Sequence, residues 1–171
     1  MSANTAHWRP IEEGDISAIH QLGSVVHPDH LDESQEAFVS RLAAGPETCH
    51  VLASGKTIYG YALAHPWDDS VSPLGAVIEP RDGDVLFLHD LVVSPVARGR
   101  GHACNAVRLL KSWACLHGKR MQLVSVNRTY PFWTKHGFVL AGRLDEVASY
   151  GADALLMAWD PGTACRSEEG R

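Results

Sequence analysis

The chain has 171 residues, of which 45% are hydrophobic and 20% charged, with a formal net charge of −5. This composition is close to average globular usage, and the length is enough for one compact domain with an ordinary hydrophobic core. We expect that domain to span residues 1–160, followed by a polar tail at 161–171. A net negative chain lacks the basic field that non-specific nucleic-acid binding needs. No apolar stretch reaches the roughly 18 residues of a membrane span, so we expect a cytoplasmic protein that binds neither nucleic acid nor membrane.

The cysteines show no pattern of a metal site. Cys49, Cys104, Cys115 and Cys165 form neither a CxxC pair nor a zinc-like spacing with histidine. We therefore expect reduced, unliganded thiols and no bound metal.

Apolar periodicity predicts two helices in the first part of the chain. Ile16, Ile19, Leu22 and Val26 recur at helical spacing, and Ser34 is a suitable N-cap for a second helix. We expect the apolar stripe of that second helix to be Phe38, Leu42 and Ala43. In chain order, the elements predicted here are a strand at 7–9, a helix at 12–26, the helix after Ser34, and a hairpin of strands at 49–53 and 57–65.

A long loop and a strongly apolar strand follow the hairpin. Residues 66–83 are rich in Pro, Gly, Asp and Ser, which indicates a surface loop that is either functional or mobile. Val85–Val93 is almost continuously apolar, as expected of a central strand covered on both faces. The remaining predicted elements are a helix at 100–117 ended by Gly118, a strand at 121–126, a short helix at 130–136, and strands at 138–141 and 154–159.

A glycine-rich turn, Arg98-Gly99-Arg100-Gly101-His102-Ala103, joins this central strand to the long helix. Small residues let a ligand approach the backbone, and the first N–H groups of a helix attract anions. The turn is neither a P-loop nor a GxGxxG dinucleotide motif, because the required lysine and glycine spacings are absent. Taken alone, it predicts an anion site or an ordinary glycine turn with solvated arginines.

The chain resembles the GCN5-related N-acetyltransferase (GNAT) superfamily in two motifs. Leu91-Val92-Val93-Ser94-Pro95 and the glycine-rich turn are similar to the family's strand end followed by Arg/Gln-x-x-Gly-x-Gly/Ala. Phe132-Trp133-Thr134-Lys135-His136-Gly137-Phe138 is similar to its Phe-Tyr-x-x-x-Gly-Phe segment. The resemblance implies an α+β fold, with a mixed, mostly antiparallel twisted sheet of six to seven strands, flanked by about four helices and splayed at the central strand.

The resemblance also implies acetyl-CoA as cofactor and an acetyl transfer to a primary amine of a small molecule. The implied cofactor-binding residues are the main chain of Leu91, Val92 and Val93, the N–H groups of the turn (Arg98, Gly99, Arg100, Gly101, His102 and Ala103), and Asn127 and Trp133. Asn127 is equally well explained as a turn-forming residue. Positive charge concentrates at Arg98, Arg100, Arg108 and Lys111, where it is expected to meet the cofactor phosphates.

His89 is the predicted general base, because a histidine can accept a proton from the amine near neutral pH. Leu88-His89-Asp90-Leu91-Val92-Val93 also resembles a strand of the arylalkylamine N-acetyltransferases, in which two histidines serve as base; Phe87 replaces the first of them. Asp90 is the competing candidate. Strand alternation places Phe87, His89 and Leu91 on one face and Leu88, Asp90 and Val92 on the other, so His89 and Asp90 are not expected to act together.

The general acid departs from the family pattern, since Trp133 occupies the position where a tyrosine usually lies near the CoA sulfur. An indole N–H donates a hydrogen bond but supplies no proton near pH 7. Tyr130, one helical turn earlier, is the substitute candidate, although a structural role is expected more for it. We expect thiolate departure to be assisted by water or by no strong acid.

The segment between the first two helices is expected to line the acceptor side. Its side chains include His27, Asp29, His30, Asp32, Glu33 and Glu36, an acidic surface that favours a cationic amine over an anion. Two alternatives stay open for the function: a non-catalytic acyl-CoA-binding module, and an acetyltransferase acting on a protein or peptide amine. The loop at 66–83 is expected to be a lid over the acceptor or an interface with a partner subunit, as in a homodimer.

Overall fold

The computed structural model describes residues 3–142, 145–162 and 165. Its centre is an open seven-stranded sheet with the strand order β1-β2-β3-β4-β5-β7-β6. The strands are β1 (His7–Pro10), β2 (His50–Ser54), β3 (Thr57–Trp67), β4 (Val85–Val93), β5 (Arg120–Ser125), β6 (Val139–Leu140) and β7 (Leu155–Trp159).

Neighbouring strands of this sheet are antiparallel except for β4 and β5, which are parallel. This arrangement confirms the predicted α+β fold with a mixed, mostly antiparallel sheet. The flanking helices are α1 (Ile16–Val26), α2 (Gln35–Ala44), α3 (His102–Leu116) and α4 (Tyr130–Lys135). Within the described residues, no helix has the length and apolarity needed to cross a membrane.

The helices cover the two faces of the sheet and create a core on each. On one face, Ile19 of α1 and Phe38 of α2 pack against Tyr61 and Val92 of the central strands. On the other, Leu110 of α3 and Trp133 of α4 pack in the same cluster as Leu86. Burial on both faces explains why the sequence of β4 is almost continuously apolar.

Local sequence signals locate the helix ends correctly. The Ser34 hydroxyl accepts a hydrogen bond from the backbone N–H of Ala37 at 3.2 Å, which confirms the predicted N-cap of α2. Gly118 follows α3 in the left-handed conformation, with φ of 63°. The predicted stripe of α2 is wrong at one position, because Ala43 is exposed while Arg41 is completely buried. Arg41 finds polar partners in the long loop, so its burial could not be inferred from hydrophobicity.

That loop spans 68–84, because Pro66 and Trp67 extend β3. Several contacts hold it against the body of the fold. Arg41 donates to the Ser72 hydroxyl at 2.8 Å and to the Pro73 carbonyl at 2.5 Å, and the Tyr150 hydroxyl donates to the Ser72 carbonyl at 2.5 Å. The backbone N–H of Ile78 donates to the Ser40 hydroxyl at 3.1 Å. Residues 72–78 are therefore anchored to α2 and to the segment before β7.

The expectation of four reduced cysteines is wrong, since Cys115 at the end of α3 forms a disulfide with Cys165. Their Cα atoms are 5.6 Å apart although the residues are 50 positions apart in sequence, a proximity that spacing rules do not reveal. Cys49 and Cys104 are free, and burial raises the pKa of the Cys49 thiol to about 12. Of the predicted tail at 161–171, residues 163–164 and 166–171 lie outside the described residues.

Candidate active site

The two parallel strands at the centre of the sheet separate halfway along their length. Their pairing runs from Val85 with Arg120 to Leu88 with Leu123 and ends there. Beyond that point a cavity of about 890 Å³ opens between the strands. Its walls include Leu91, Val92 and Val93 of β4, as well as Val124 of β5. The predicted splay at the central strand is therefore present, and the edge of β4 that faces β5 is left accessible to a ligand.

A β-bulge in β4 changes which side chains share a face. Leu63 and Ala64 of β3 are consecutive, yet they pair with Asp90 and Leu88, so His89 is an extra residue. The predicted alternation is wrong for this reason. Leu88 and Leu91 both pack in the core beneath α3. His89 and Asp90 instead both bond to side chains from the α1 side, namely Glu33 for His89 and His27 for Asp90.

The glycine-rich turn lies at one end of the cavity and forms the start of α3. Gly99 and Gly101 have φ of 75° and 78°, a conformation that favours glycine. A Cβ atom added to either would meet nothing within 4 Å, so both glycines face open space. The first N–H groups of α3 have no partner inside the helix, and Gly101, His102 and Ala103 line a second cavity of about 220 Å³ beside the turn.

The predicted basic residues are not all directed at these cavities. Arg98 lines both cavities, and its Nε donates to the Val93 carbonyl at 3.0 Å. Arg100 donates to the Val96 carbonyl at 2.8 Å, and Arg108 to the Asn105 side chain at 3.2 Å. Lys111 donates to the His136 carbonyl and lies 4.6 Å from the ring of Trp159. Lys111 thus packs against the end of α4 and against β7, and it lines neither cavity.

The segment after β5 contributes Asn127, Phe132 and Trp133 to the wall of the large cavity. Asn127 has φ of 52°, so it forms a left-handed turn and also lines the cavity. The indole N–H of Trp133 donates to the Thr129 hydroxyl at 3.2 Å. Tyr130 is exposed and is absent from the residues that line the two cavities. The structure therefore brings Trp133 to the site and leaves Tyr130 outside it.

His89 also lines the large cavity, but it belongs to a polar network that is more deeply buried than the pair of His27 and Asp90. Its side chain is 1% exposed, and its Nε2–H donates to Glu33 Oε1 at 2.6 Å. Nδ1 lies 3.5 Å from the hydroxyl of Tyr150. Glu33 Oε2 accepts from the backbone N–H of Gly75 at 2.7 Å and lies 3.8 Å from Arg41. Burial alone would raise the pKa of the Glu33 carboxylate. The hydrogen bonds from His89 and Gly75 and the charges of His89 and Arg41 outweigh burial, so the net effect is a lowered pKa.

A second pair of imidazole and carboxylate groups lies in the cavity wall itself. His27 follows the last residue of α1, and its Nε2 lies 2.9 and 3.0 Å from the two carboxylate oxygens of Asp90. The Tyr61 hydroxyl donates to Asp90 Oδ2 at 2.6 Å. The side chains of His27 and Asp90 are 13% and 14% exposed, and both residues line the large cavity. Of the two pairs, this one has the greater contact with the space a substrate would enter.

Sequence reasoning missed several members of these networks. Tyr61, Arg41 and Tyr150 were not candidates, because each is brought to the site by tertiary packing rather than by a motif. Glu33 and His27 were noted as part of an acidic surface, without their individual partners. The one available signal was the density of ionisable residues just before and after Pro28, next to a helix end.

Comparisons with known proteins agree with this geometry. The model of the acetyltransferase (GNAT) family matches residues 15–138. No curated protein is significantly similar to the chain. Among solved structures, the ribosomal-protein-S18-alanine N-acetyltransferase of Escherichia coli is 16% identical with a TM-score of 0.66, covering 91% of this chain and 94% of that one. The loading GNATL domain of CurA from Lyngbya majuscula is 14% identical with a TM-score of 0.73, covering 91% and 98%.

A third solved structure, the GphF GNAT-like decarboxylase in complex with isobutyryl-CoA, is 19% identical with a TM-score of 0.71, covering 91% of this chain and 99% of that one. At these identities the likeness establishes the fold alone. The family match is independent of it and covers 124 residues, from 15 to 138, well over half of the chain. Together with the splayed strands and the glycine-rich turn, this match shows that the chain belongs to the acetyltransferase (GNAT) family.

Proposed function

We propose that the protein transfers an acetyl group from acetyl-CoA to a primary amine of a small molecule, by direct attack within a ternary complex. The observation that carries this proposal is the cavity between β4 and β5, which leads from the glycine-rich turn to the ionisable groups at His27 and Asp90. One end of it suits a phosphate anion, and the other suits a cation. Acetyl-CoA supplies the acyl group as a thioester, which an amine attacks once it has lost a proton.

The residues present fit such a cofactor. The N–H groups of Gly101, His102 and Ala103 are available for a pyrophosphate at the start of α3. Beyond the bulge, the edge of β4 has main-chain groups near Leu91 and Val93 for the pantetheine arm. A leaving thiolate has Trp133 nearby, whose indole N–H already donates to Thr129, so we assign no general acid.

The charge of the site favours an amine acceptor. Asp90 lies in the cavity wall, and Glu33 lies behind it with a pKa held below its usual range, so the Glu33 carboxylate is ionised near neutral pH. A carboxylate-bearing acyl group would be repelled by this surface, whereas an ammonium group would be attracted. This contrast favours acetyl transfer over a decarboxylation of the kind named for one structural neighbour.

The proposal is tested by measuring thiol release from acetyl-CoA with a panel of arylalkyl amines, polyamines, amino acids and peptides. We expect saturable turnover with at least one small cationic amine. Turnover with peptides alone would show that the acceptor is a peptide or protein amine and not a small molecule. Micromolar acetyl-CoA binding without turnover on any amine would contradict the proposed acetyltransferase activity and favour the non-catalytic binding module.

Asn127 offers a separate test of the cofactor site. Asn127→Gly retains a residue that adopts positive φ, but removes the side chain. If the amide bonds to the pantetheine arm, we expect acetyl-CoA affinity to fall about 5- to 10-fold, the loss of one hydrogen bond worth roughly 1 kcal/mol. Titration calorimetry measures the affinity, and urea unfolding checks that stability is retained.

Asn127→Ala is the matched variant, because it removes the amide and also disfavours the left-handed turn. It should weaken binding at least as much and lower stability as well. Unchanged affinity in Asn127→Gly would assign the residue to the turn alone.

A further inference from the structure

We propose that His27 accepts the proton of the acceptor amine and that Asp90, held by Tyr61, orients its imidazole. This inference rests on the proposed acetyl transfer and names the proton acceptor of that site. It differs from the sequence-based prediction, in which His89 has this role. The two histidines are distinguished by what surrounds each ring.

Orientation of the His27 ring follows from its hydrogen bonds. Nε2 lies 2.9 Å from a carboxylate oxygen of Asp90, which accepts and does not donate, so Nε2 carries the proton of the neutral ring. The lone pair is then on Nδ1. Among the described residues, Nδ1 of His27 has no hydrogen-bond partner and is buried. A buried ring nitrogen without a partner is unfavourable, and a substrate N–H would satisfy it.

The carboxylate of Asp90 is fixed from a second direction. The Tyr61 hydroxyl donates to Oδ2 at 2.6 Å, and Tyr61 is completely buried between α1 and α2. Burial first, then the negative charge of Asp90, raises the pKa of Tyr61 well above its usual value, so the hydroxyl remains a donor. Asp90 therefore holds the imidazole in one tautomer and one orientation.

Charges around His27 adapt it to accept a proton. Burial lowers the pKa of the imidazole, but the hydrogen bond and charge of Asp90, with the charges of Glu33 and Asp32, outweigh burial and raise it. Tyr61 and His89 are the other titratable groups of this cluster; Tyr61 is neutral near pH 7. A base whose pKa lies near the working pH is the most effective proton acceptor.

His89 also lines the cavity, but its side chain is less accessible than that of His27. Its ring is 1% exposed, its Nε2 bonds to Glu33, and its Nδ1 lies beside Tyr150. The same geometry suits a positioning role, since His89 is the bulge residue and joins β4 to the segment before α2 through Glu33. We therefore assign it to maintaining the bulge that brings Asp90 to the same side as His27.

The proposed acetyl transfer moves two protons from the ammonium nitrogen. The ammonium group gives one proton to His27 Nδ1, and the freed lone pair forms the C–N bond as the carbonyl π pair moves to oxygen. The electron pair on oxygen then re-forms the carbonyl bond, the C–S bond breaks, and the electrons of that bond leave with the sulfur. The second nitrogen proton neutralises the thiolate directly or through solvent, and the His27 imidazolium releases its proton to water. The products are an N-acetyl amide and CoA.

The test compares His27→Gln with His89→Gln on an amine that the wild-type enzyme acetylates. We expect His27→Gln to lower kcat/KM by roughly 10²–10⁴ at pH 7 and to abolish the loss of rate on acidification. In His89→Gln, the acidic limb of the profile should persist even if the rate falls. His7→Gln, an exposed histidine on β1, is the control and should match the wild type.

A second readout needs no turnover. The NMR titration of His27 in the free protein should give a pKa above the ordinary histidine value of about 6.5, equal to the midpoint of the kcat/KM profile. Asp90→Asn should lower that pKa, because it removes the charge that stabilises the imidazolium.

Retention of both the rate and the acidic limb in His27→Gln, with their loss in His89→Gln, would overturn the assignment. A wild-type protein that acetylates no amine would refute the proposed function instead, so the two failures are distinguishable.

Discussion

Gly101→Leu is expected to abolish measurable acetyl-CoA binding while the protein remains folded. Gly101 precedes α3 with φ of 78°, and a Cβ atom there would extend into open space, with nothing within 4 Å. A leucine would occupy the second cavity, in front of the N–H groups proposed to hold the pyrophosphate. Loss of two charge-assisted hydrogen bonds, at about 1.5–3 kcal/mol each, corresponds to at least a roughly 100-fold loss of affinity.

Gly118→Leu separates this effect from backbone strain. Gly118 also has a positive φ, 63°, and open space for a Cβ atom, but it follows the opposite end of α3. Both variants should lose about 1–2 kcal/mol of stability from the left-handed conformation. Calorimetry with acetyl-CoA should show normal affinity in Gly118→Leu alone. If the acetyl-CoA affinity of Gly101→Leu stays within threefold of wild type, the pyrophosphate does not bind at this turn.

The elements that position this turn were predictable from sequence because their signals are local. Val85–Val93 is an almost continuous apolar run, and the structure assigns β4 the same bounds. The Ser34 cap and the left-handed Gly118 depend on residues within one helical turn. In contrast, the segment from Asp145 to Tyr150 is a 3-10 helix without an apolar repeat, and it was not predicted although Val147 and Tyr150 are buried.

The site was predictable only in part, and the bulge explains most of the difference. Alternation along β4 assumes uninterrupted pairing with its neighbour, but the extra residue at His89 is visible only against Leu63 and Ala64 of β3. One shifted residue moves Asp90 to the side of α1. Its partner His27 is 63 positions away in sequence, so no motif spacing connects them.

The buried polar network behind the site depends on the same long-range packing. Burial lowers the pKa of His65 to about 3, so that ring is neutral, and it lies 3.3 Å from the Ser72 hydroxyl that Arg41 also contacts. Within the described part of the chain, Glu33 forms ion pairs with Arg41 and with His89. A fully buried guanidinium with several partners is costly to remove, since each partner would lose its donor.

Arg41→Met is therefore expected to destabilise the protein by about 3–5 kcal/mol, the usual cost of removing one partner of a buried charged group. Methionine retains much of the volume, but leaves the Pro73 carbonyl without its donor and the loop at 68–84 without its main attachment to α2. Urea unfolding monitored by tryptophan fluorescence gives the free energy of unfolding.

Arg81→Met is the matched control, because Arg81 belongs to the same loop but pairs with Asp68 at the surface, where both side chains are nearly half exposed. An exposed ion pair contributes about 0–1 kcal/mol, and the contact of Arg81 with the Trp67 ring at 3.9 Å adds an amount of similar size. The expected difference between the two variants is thus at least about 1–2 kcal/mol. Equal stability of Arg41→Met and Arg81→Met would mean that apolar contacts hold the loop, with Ile78 packed against Trp67. Arg41 would then compensate the negative charge of Glu33 without adding to the stability of the fold.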